Sequence, residues 1–315
     1  MTAVAADLRR HFPDARIVLL LGPSNAGLGP LVADADEWIM APIKSPVRTV
    51  ALLRRQSFDI LIDFGPWART NAVCCALARP RFTIGYRTPG QYRHFAYDRS
   101  ADHSPDRHEL ENQRELLRAV GLSPEAVPRL TLSSELDEKT KTSELAGTIV
   151  FHPWPGGSGR SLKQWPVERW VDLAHRVSAL GHRIAVTGAP FDASATRELV
   201  ATINLPGDKV LNLAGKLSLE ETATSLKHAA AVVSVNTGIM HMAAVLGSRL
   251  VGLHGPTSAE RWGPIGPRSV AITPSIPGCG YLKLGFEFPR RPPPCMEAIG
   301  VDVVFAALQE VMAMP

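Results

Sequence analysis

Two short segments hold the residues whose types and spacing can do chemistry together. One is His152-Pro153-Trp154-Pro155-Gly156-Gly157-Ser158-Gly159-Arg160-Ser161-Leu162-Lys163-Gln164-Trp165-Pro166; the other is Asn236-Thr237-Gly238-Ile239-Met240-His241. Each follows an apolar run that reads as a strand and precedes a run that reads as a helix, so two strand ends can converge on one ligand. Helix N-termini carry unpaired backbone N–H groups and partial positive charge, and Lys163 and Arg160 add formal charge beside one of them. That combination suits a diphosphate, and the pair of segments predicts a site for a nucleotide-sugar. Either segment alone would be a weak signal.

Transfer of a sugar from such a ligand needs a held leaving group, an activated acceptor hydroxyl and stabilisation of the charge that builds on the departing phosphate. Lys163 suits the last role; the alternative is a surface lysine on a first helical turn. Thr237 and Gly238 read as a second phosphate loop or as a plain N-cap followed by a close-packed glycine. His241 lies one turn inside that helix and either contacts phosphate or packs. Trp165 and Trp262 read as packing residues. For the general base, Asp63 at the end of the apolar run 58–64 is the best placed carboxylate, against a structural role as a helix cap. Arg81, Arg87, Arg93 and His94 gather around the loop 85–97, which would suit a phosphorylated or carboxylated acceptor, or is a solvated basic loop. No Asp-x-Asp stands at a strand end to hold a divalent cation, so no metal and no cofactor are expected. No Gly-x-Gly-x-x-Gly follows a first strand with an acidic residue after the next one, which makes a dehydrogenase the weakest of the readings.

These residues need a scaffold of alternating strands and helices. In the first half, strands are expected at 15–21, 37–40, 58–64 and 81–85, with helices at 4–11, 47–55, 68–78 and 108–120, the last closed by Gly121. The second half repeats the alternation: strands at 148–152, 183–187, 210–212, 231–235 and 250–253, helices at 166–180, 193–202, 219–228, 238–246 and 301–312. Strands flanked by helices mean parallel sheets covered on both faces, with ligands at strand C-terminal ends. The expected division is a Rossmann-like acceptor-side domain over 1–132, a polar linker over 133–146, a donor-binding Rossmann-like domain over 147–300 and a last helix over 301–315.

With 315 residues, 45% of them hydrophobic and 20% charged, the chain suffices for two globular domains. Its formal charge of +4 is mildly basic, and no Lys/Arg run is dense enough for nucleic acid. No stretch approaches the roughly 20 apolar residues of a membrane span. Residues 1–10 lack the features of a secretory signal, so the expected location is the cytoplasm, with peripheral contact on the inner face of the membrane as an option. Cys74-Cys75 read as buried thiols. Cys279 and Cys295 flank a Gly, Pro and aromatic-rich loop and either pair or bind metal, zinc being disfavoured for want of a CxxC or nearby His.

The two segments together resemble the donor half of the family 9 glycosyltransferases, the ADP-heptose:lipopolysaccharide heptosyltransferase family. The matching residues are Ser158, Gly159, Lys163, Trp165 and Pro166, then Asn236, Thr237, Gly238 and His241. Further likeness lies in Asp106-Arg107-His108, the Leu213-to-Leu219 turn, His254-Gly255-Pro256-Thr257 and Cys295-Met296. The resemblance implies a GT-B architecture, two doubly wound domains facing a cleft with the last helix crossing back to the first. It implies an inverting, metal-independent transferase of cell-envelope glycan or glycolipid synthesis, with ADP-heptose or another nucleotide diphosphate sugar as donor. Lys216 and Leu217 match the turn that holds the nucleoside; Arg87, Arg93 and His94 fall to the acceptor side. Departures are Gly159 where the family has a second hydroxyl and Asn236 where it has Asp. The family pattern also places a strand and a Gly-Asp loop, about 20 to 25 residues, before the helix in which this chain opens, and that Asp would be the general base; without it a non-catalytic binder of nucleotide-sugar or of a partner enzyme is the alternative.

Overall fold

Short apolar runs bounded by Gly, Pro and Asp become parallel strands, and the longer amphipathic runs between them become the crossover helices that parallel strands require. The computed structural model describes residues 1–157 and 159–315 and divides into two units, Met1–Thr131 and Leu132–Pro315.

The first unit runs α1 (Thr2–His11), β1 (Val18–Leu21), β2 (Glu37–Met40), α2 (Pro46–Gln56), β3 (Ile60–Ile62), α3 (Arg69–Ala78), β4 (Phe82–Arg87), β5 (Arg99–Asp102) and α4 (Glu109–Arg118). The expected sheet is divided into two parallel ladders, β1–β2 and β3–β4–β5. Between them Leu20 of β1 and Leu61 of β3 share an apolar cluster with Leu53, Cys74 and Ala78 of α2 and α3. β3 is shorter than the apolar run suggests, and Ile60 is exposed. The helix α4 is N-capped by His108, whose side chain accepts from Leu110 N, and Gly121 follows it at φ +81°.

In the second unit the elements are α5 (Ser134–Lys141), β6 (Ile149–His152), α6 (Val167–Ala179), β7 (Ile184–Val186), α7 (Ala193–Ile203), β8 (Val210–Asn212), α8 (Leu219–His228), β9 (Ala231–Val235), α9 (Gly238–Val245), β10 (Leu250–Leu253), α10 (Ala259–Trp262), β11 (Ser269–Ile272) and α11 (Val301–Ala313). Six parallel strands stand in the order β11-β10-β9-β6-β7-β8. Chain order therefore runs outward from β6 through β7 to β8, then returns to the other side of β6 and runs outward again. Such a reversal is the topological switch point of a doubly wound sheet.

The tract 133–146, read as a linker, contains α5, which docks on α8: Asp137 accepts from Lys227 and His228, and Thr140 donates to the Thr224 hydroxyl at 3.0 Å. The last helix packs into the core of the second unit. Val304, Leu308 and Val311 are fully buried in one core with Trp170, Leu173 and the strands, and Arg176 pairs with Asp302.

Asp63 occupies the turn after β3, but its carboxylate is spent. Oδ1 accepts from Gly65 N at 2.9 Å; Oδ2 accepts from Arg93 at 2.5 Å and from the Tyr97 hydroxyl at 2.6 Å. Arg93 and Asp63 are both buried, and burial first, then the neighbouring carboxylate, pushes the Tyr97 hydroxyl up from its ordinary value. Both carboxylate oxygens thus accept hydrogen bonds from fixed donors, which supports the structural reading of Asp63 as the anchor of its turn, with Arg93 as its partner. Removing one partner of a buried pair leaves the other charge uncompensated. Asp63→Ala is therefore expected to destabilise the protein by roughly 3 to 5 kcal/mol in urea unfolding; a loss of activity at unchanged stability would restore the catalytic role.

Candidate functional site

The strands β6 and β9 are neighbours in parallel register, His152 opposite Ser234, so the loops leaving them begin side by side at the switch point. Both strands are buried along their whole length. The two segments singled out by their chemistry are thus brought together by one ladder.

The loop after β6 runs from Pro153 to Pro166 before its helix begins. Gly157 and Gly159 adopt left-handed backbone (φ +72° and +63°), a short 3-10 turn covers Arg160–Lys163, and Pro166 then caps α6. Lys163 is thus a residue of the loop, not of a first α-helical turn. Its ammonium is half-buried and donates to Gly156 O, and burial lowers its pKa from the ordinary lysine value. Ser158 lies outside the described residues. Arg160 pairs with the buried Asp192 and lies 5.0 Å over the Phe191 ring, so its charge is already answered. Trp165 is buried, donates to Ile299 O and meets Trp170 edge-on, a packing role.

On the β9 side Thr237 is the N-cap of α9, its hydroxyl accepting from Ile239 N and Met240 N. The cap reading therefore holds for the side chain, while nothing lies within 4 Å of a Cβ built on Gly238 or Gly156, so both loops present backbone to open space. His241 is half-buried one turn into α9, near enough to His254 to depress it. Asn236 donates its amide to Trp262 O at 3.3 Å and to His254 Nδ1 at 3.1 Å. A carbonyl oxygen can only accept, so an Asp here would turn an acceptor toward Trp262 O. The departure from Asp has a partner set that fits it.

Beyond β7, the loop after β8 is hooked to the loop after β7 by Gly215 N donating to Gly188 O. It carries Lys216, exposed, and Leu217, half-buried, and ends in the Ser218–Glu221 capping box of α8. Asp192, which the sequence reading does not single out, accepts from Ala189 N and fastens the β7 loop to Arg160 of the β6 loop. On the first unit the basic cluster does not assemble: Arg87 is exposed and 3.8 Å from Asp102, Arg93 is buried on Asp63, and the His94 ring stacks on Phe95 at 4.2 Å. Cys279 and Cys295, left between pairing and metal, form a disulfide. Among the described residues no group of three or more His, Cys, Asp or Glu is placed to hold a metal ion, and no helix is long and apolar enough to cross a membrane.

The sequence model of glycosyltransferase family 9 (heptosyltransferase) matches residues 47–279. Lipopolysaccharide heptosyltransferase 1 of Escherichia coli K12 is 26% identical over 226 residues, 70% of this chain and 68% of that protein. Lipopolysaccharide heptosyltransferase 2 of Salmonella typhimurium is 30% identical over 119 residues, 38% of this chain, so the match spans about a third (34%) of that relative's length. Among solved structures, E. coli ADP-heptose lps heptosyltransferase II superposes with a TM-score of 0.77 at 21% identity, covering 99% of this chain and 93% of that one. E. coli heptosyltransferase WaaC with ADP gives 0.73 at 20%, covering 98% and 95%. These likenesses are of fold, and the fold is of the GT-B type.

The strand ends bury two neutral imidazoles. Burial first, with Asp192 opposing it, brings His152 down to about 4; burial, with His241 adding to it, brings His254 down to about 3. In the unfolded chain a histidine takes up its proton near pH ~6.5, so below that pH the unfolded state binds more protons than the folded one. Stability is complete above that value and is lost as pH falls toward the folded pKa values, by up to about 1.4 kcal/mol per pH unit for each histidine. Urea unfolding at pH 7 and pH 5 checks this: a midpoint that does not fall on acidification contradicts neutral burial.

Proposed function

The chain belongs to glycosyltransferase family 9, and from that premise we propose that it is an inverting transferase moving a heptose-like sugar from a nucleotide diphosphate donor, ADP-heptose first, to a cell-envelope glycan or glycolipid. The observation that carries the reading is the pairing of β6 with β9, which sets the two anion-suited loops side by side at a switch point. Strands lie about 4.8 Å apart, so a ligand lying across the strand ends from the Lys216–Leu217 turn to the β6 and β9 loops has the span of a nucleoside diphosphate. Nucleoside would rest on the β8 loop, diphosphate on the backbone of Gly156–Gly159 and the N-terminus of α9, and sugar toward Asn236.

In this reading the acceptor oxygen attacks the anomeric carbon from the side opposite the diphosphate, and the single displacement inverts its configuration. Lys163 answers the charge that grows on the departing phosphate; its release from Gly156 O when a ligand arrives exchanges a neutral acceptor for an anionic one. No metal is called on for that role. The proton of the attacking hydroxyl passes to a general base as the new bond forms. The hydrogen bonds that occupy Asp63, with Asn236 in the place of Asp, favour one alternative: a relative that holds nucleotide-sugar without transferring it.

Peripheral contact with the cytoplasmic side of an anionic membrane is part of the proposal. It is supported by a groove of about 450 Å³ beside α3, lined by Val73, Leu77, Tyr92 and Phe95 with Arg69 at its rim. Phe95 is 81% and Tyr92 67% exposed, more than solvent alone favours for aromatic rings. Residues 44–97 carry nine Lys and Arg against two Asp, the charge that anionic headgroups attract.

Three measurements follow from this reading. With ADP-heptose and a glycolipid acceptor, ADP release should be lowered about 10²- to 10³-fold by Lys163→Ala; ADP binding in calorimetry with no release from the parent protein would select the binder instead. Because its ammonium is depressed, Lys163 loses its proton below the usual lysine range, so ADP affinity should weaken as pH rises toward 10 and stay flat in Lys163→Met. In co-sedimentation with phosphatidylglycerol vesicles, Tyr92→Ser with Phe95→Ser should lower binding about tenfold; equal sedimentation of parent and variant, or none of either, removes the membrane contact.

A further inference from the structure

The residues between Cys279 and Cys295 form a built loop with no part in the site as expected from sequence. Its base is tied by the disulfide and by backbone bonds to the loop after β10: Gly280 N donates to Gly255 O, and Leu282 N to Pro256 O at 2.7 Å. The buried Arg261 and the Trp262 indole both donate to Lys283 O. Its tip folds around Glu287, whose carboxylate accepts from Leu284 N, Gly285 N and Phe286 N. Beyond that tip the Phe288 ring reaches the β6 loop and covers Gly159: a Cβ built there would lie 2.4 Å from Phe288 Cε1 and 2.9 Å from Cζ. The ring fills the space that any side chain at 159 would take.

We propose that Phe288 is a positioning residue for the phosphate loop, and that the Cys279–Cys295 disulfide holds it there, making diphosphate affinity responsive to thiol redox state. The inference rests on the reading of Gly156–Lys163 as the donor's diphosphate loop. Gly159 sits in left-handed backbone with no side chain of its own to fix the turn, and a glycine left free populates many conformations. The ring seated on it removes that freedom before the ligand arrives, and preorganisation appears as affinity. The disulfide keeps the two ends of the loop together, so the ring stays at its seat. A dithiol reductant breaks the S–S bond by exchange: two protein thiols form, and the reductant leaves as its own disulfide. The freed ends then let the loop sample more states, and Phe288 spends less time on Gly159.

Calorimetric titration of the full chain with ADP tests this. Phe288→Ala is expected to raise the Kd about tenfold, and Phe288→Tyr, which keeps the ring, to stay within about twofold of the parent. Dithiothreitol should raise the parent's Kd about fivefold, with intact mass showing the two added hydrogens, and should leave the Cys279→Ser/Cys295→Ser protein unchanged at the reduced parent's value. Should Phe288→Ala fail to fold, the serine pair and the reduced parent still decide the matter. ADP binding that is the same in oxidised parent, reduced parent and Phe288→Ala overturns the inference while leaving the donor site intact. Absence of ADP binding in the oxidised parent overturns the donor-loop reading and this inference with it.

Discussion

The pairing of β6 with β9 is the constraint on which the rest depends. The two strands are more than seventy residues apart in sequence, and only the reversal of strand order makes them neighbours. What makes that order stable is burial on both faces. Ile149, Phe151, Val233 and Val235 turn one way, into the core shared with α6, α7 and α11. By the alternation of a strand, Val150 and Val232 turn the other way, and both are fully buried. A strand that must be dry on both sides has no position at an edge, so β6 and β9 take the centre, and the loops leaving them meet there.

That logic also says what could be read in advance. Strands 37–40, 210–212, 231–235 and 250–253 fall at the expected residues because each is an apolar run ended by a turn former. β5, Arg-Ser-Ala-Asp, has no such pattern; its neighbour β4 supplies the ladder, Ile84 opposite Arg99 through Arg87 opposite Asp102. β11, at the edge of the larger sheet, is half-open and equally silent. The helix α5 is polar almost all round, and its partners, Thr224, Lys227 and His228, lie more than eighty residues away. Local pattern reports burial well and long-range pairing poorly.

The same division runs through the site. Glycines, a lysine and a threonine cap announce two anion-suited loops because their roles are local. What those side chains are bonded to is not local. Asp63 looks like a free strand-end carboxylate until Arg93 and Tyr97, some thirty residues later, consume it. Asn236 looks like the loss of a functional Asp until Trp262 O, a fixed acceptor, is seen to take its amide N–H, with His254 Nδ1 beside it. Both reversals come from hydrogen-bond capacity, which sequence spacing does not report.

Charge at the loop after β6 follows from these pairings. Two cations stand in the segment, yet Arg160 is committed to a buried carboxylate, and an ion already paired in a partly dry setting adds little field for a third charge. Lys163 is held by a neutral carbonyl and partly desolvated, which would raise the gain if, as proposed, a phosphate took the place of that carbonyl. In the proposed donor site the loop would therefore offer one disposable formal charge and the backbone N–H groups of glycine-rich turns. Such a site would owe its affinity to geometry more than to charge count, because backbone donors bind an anion only while they point the same way. That is why the surroundings of Gly159 matter: Asp192, through Arg160, fastens one flank of the turn and Phe288 covers the other, so a segment built from the most flexible residue type is fixed from both sides by elements that follow it in sequence.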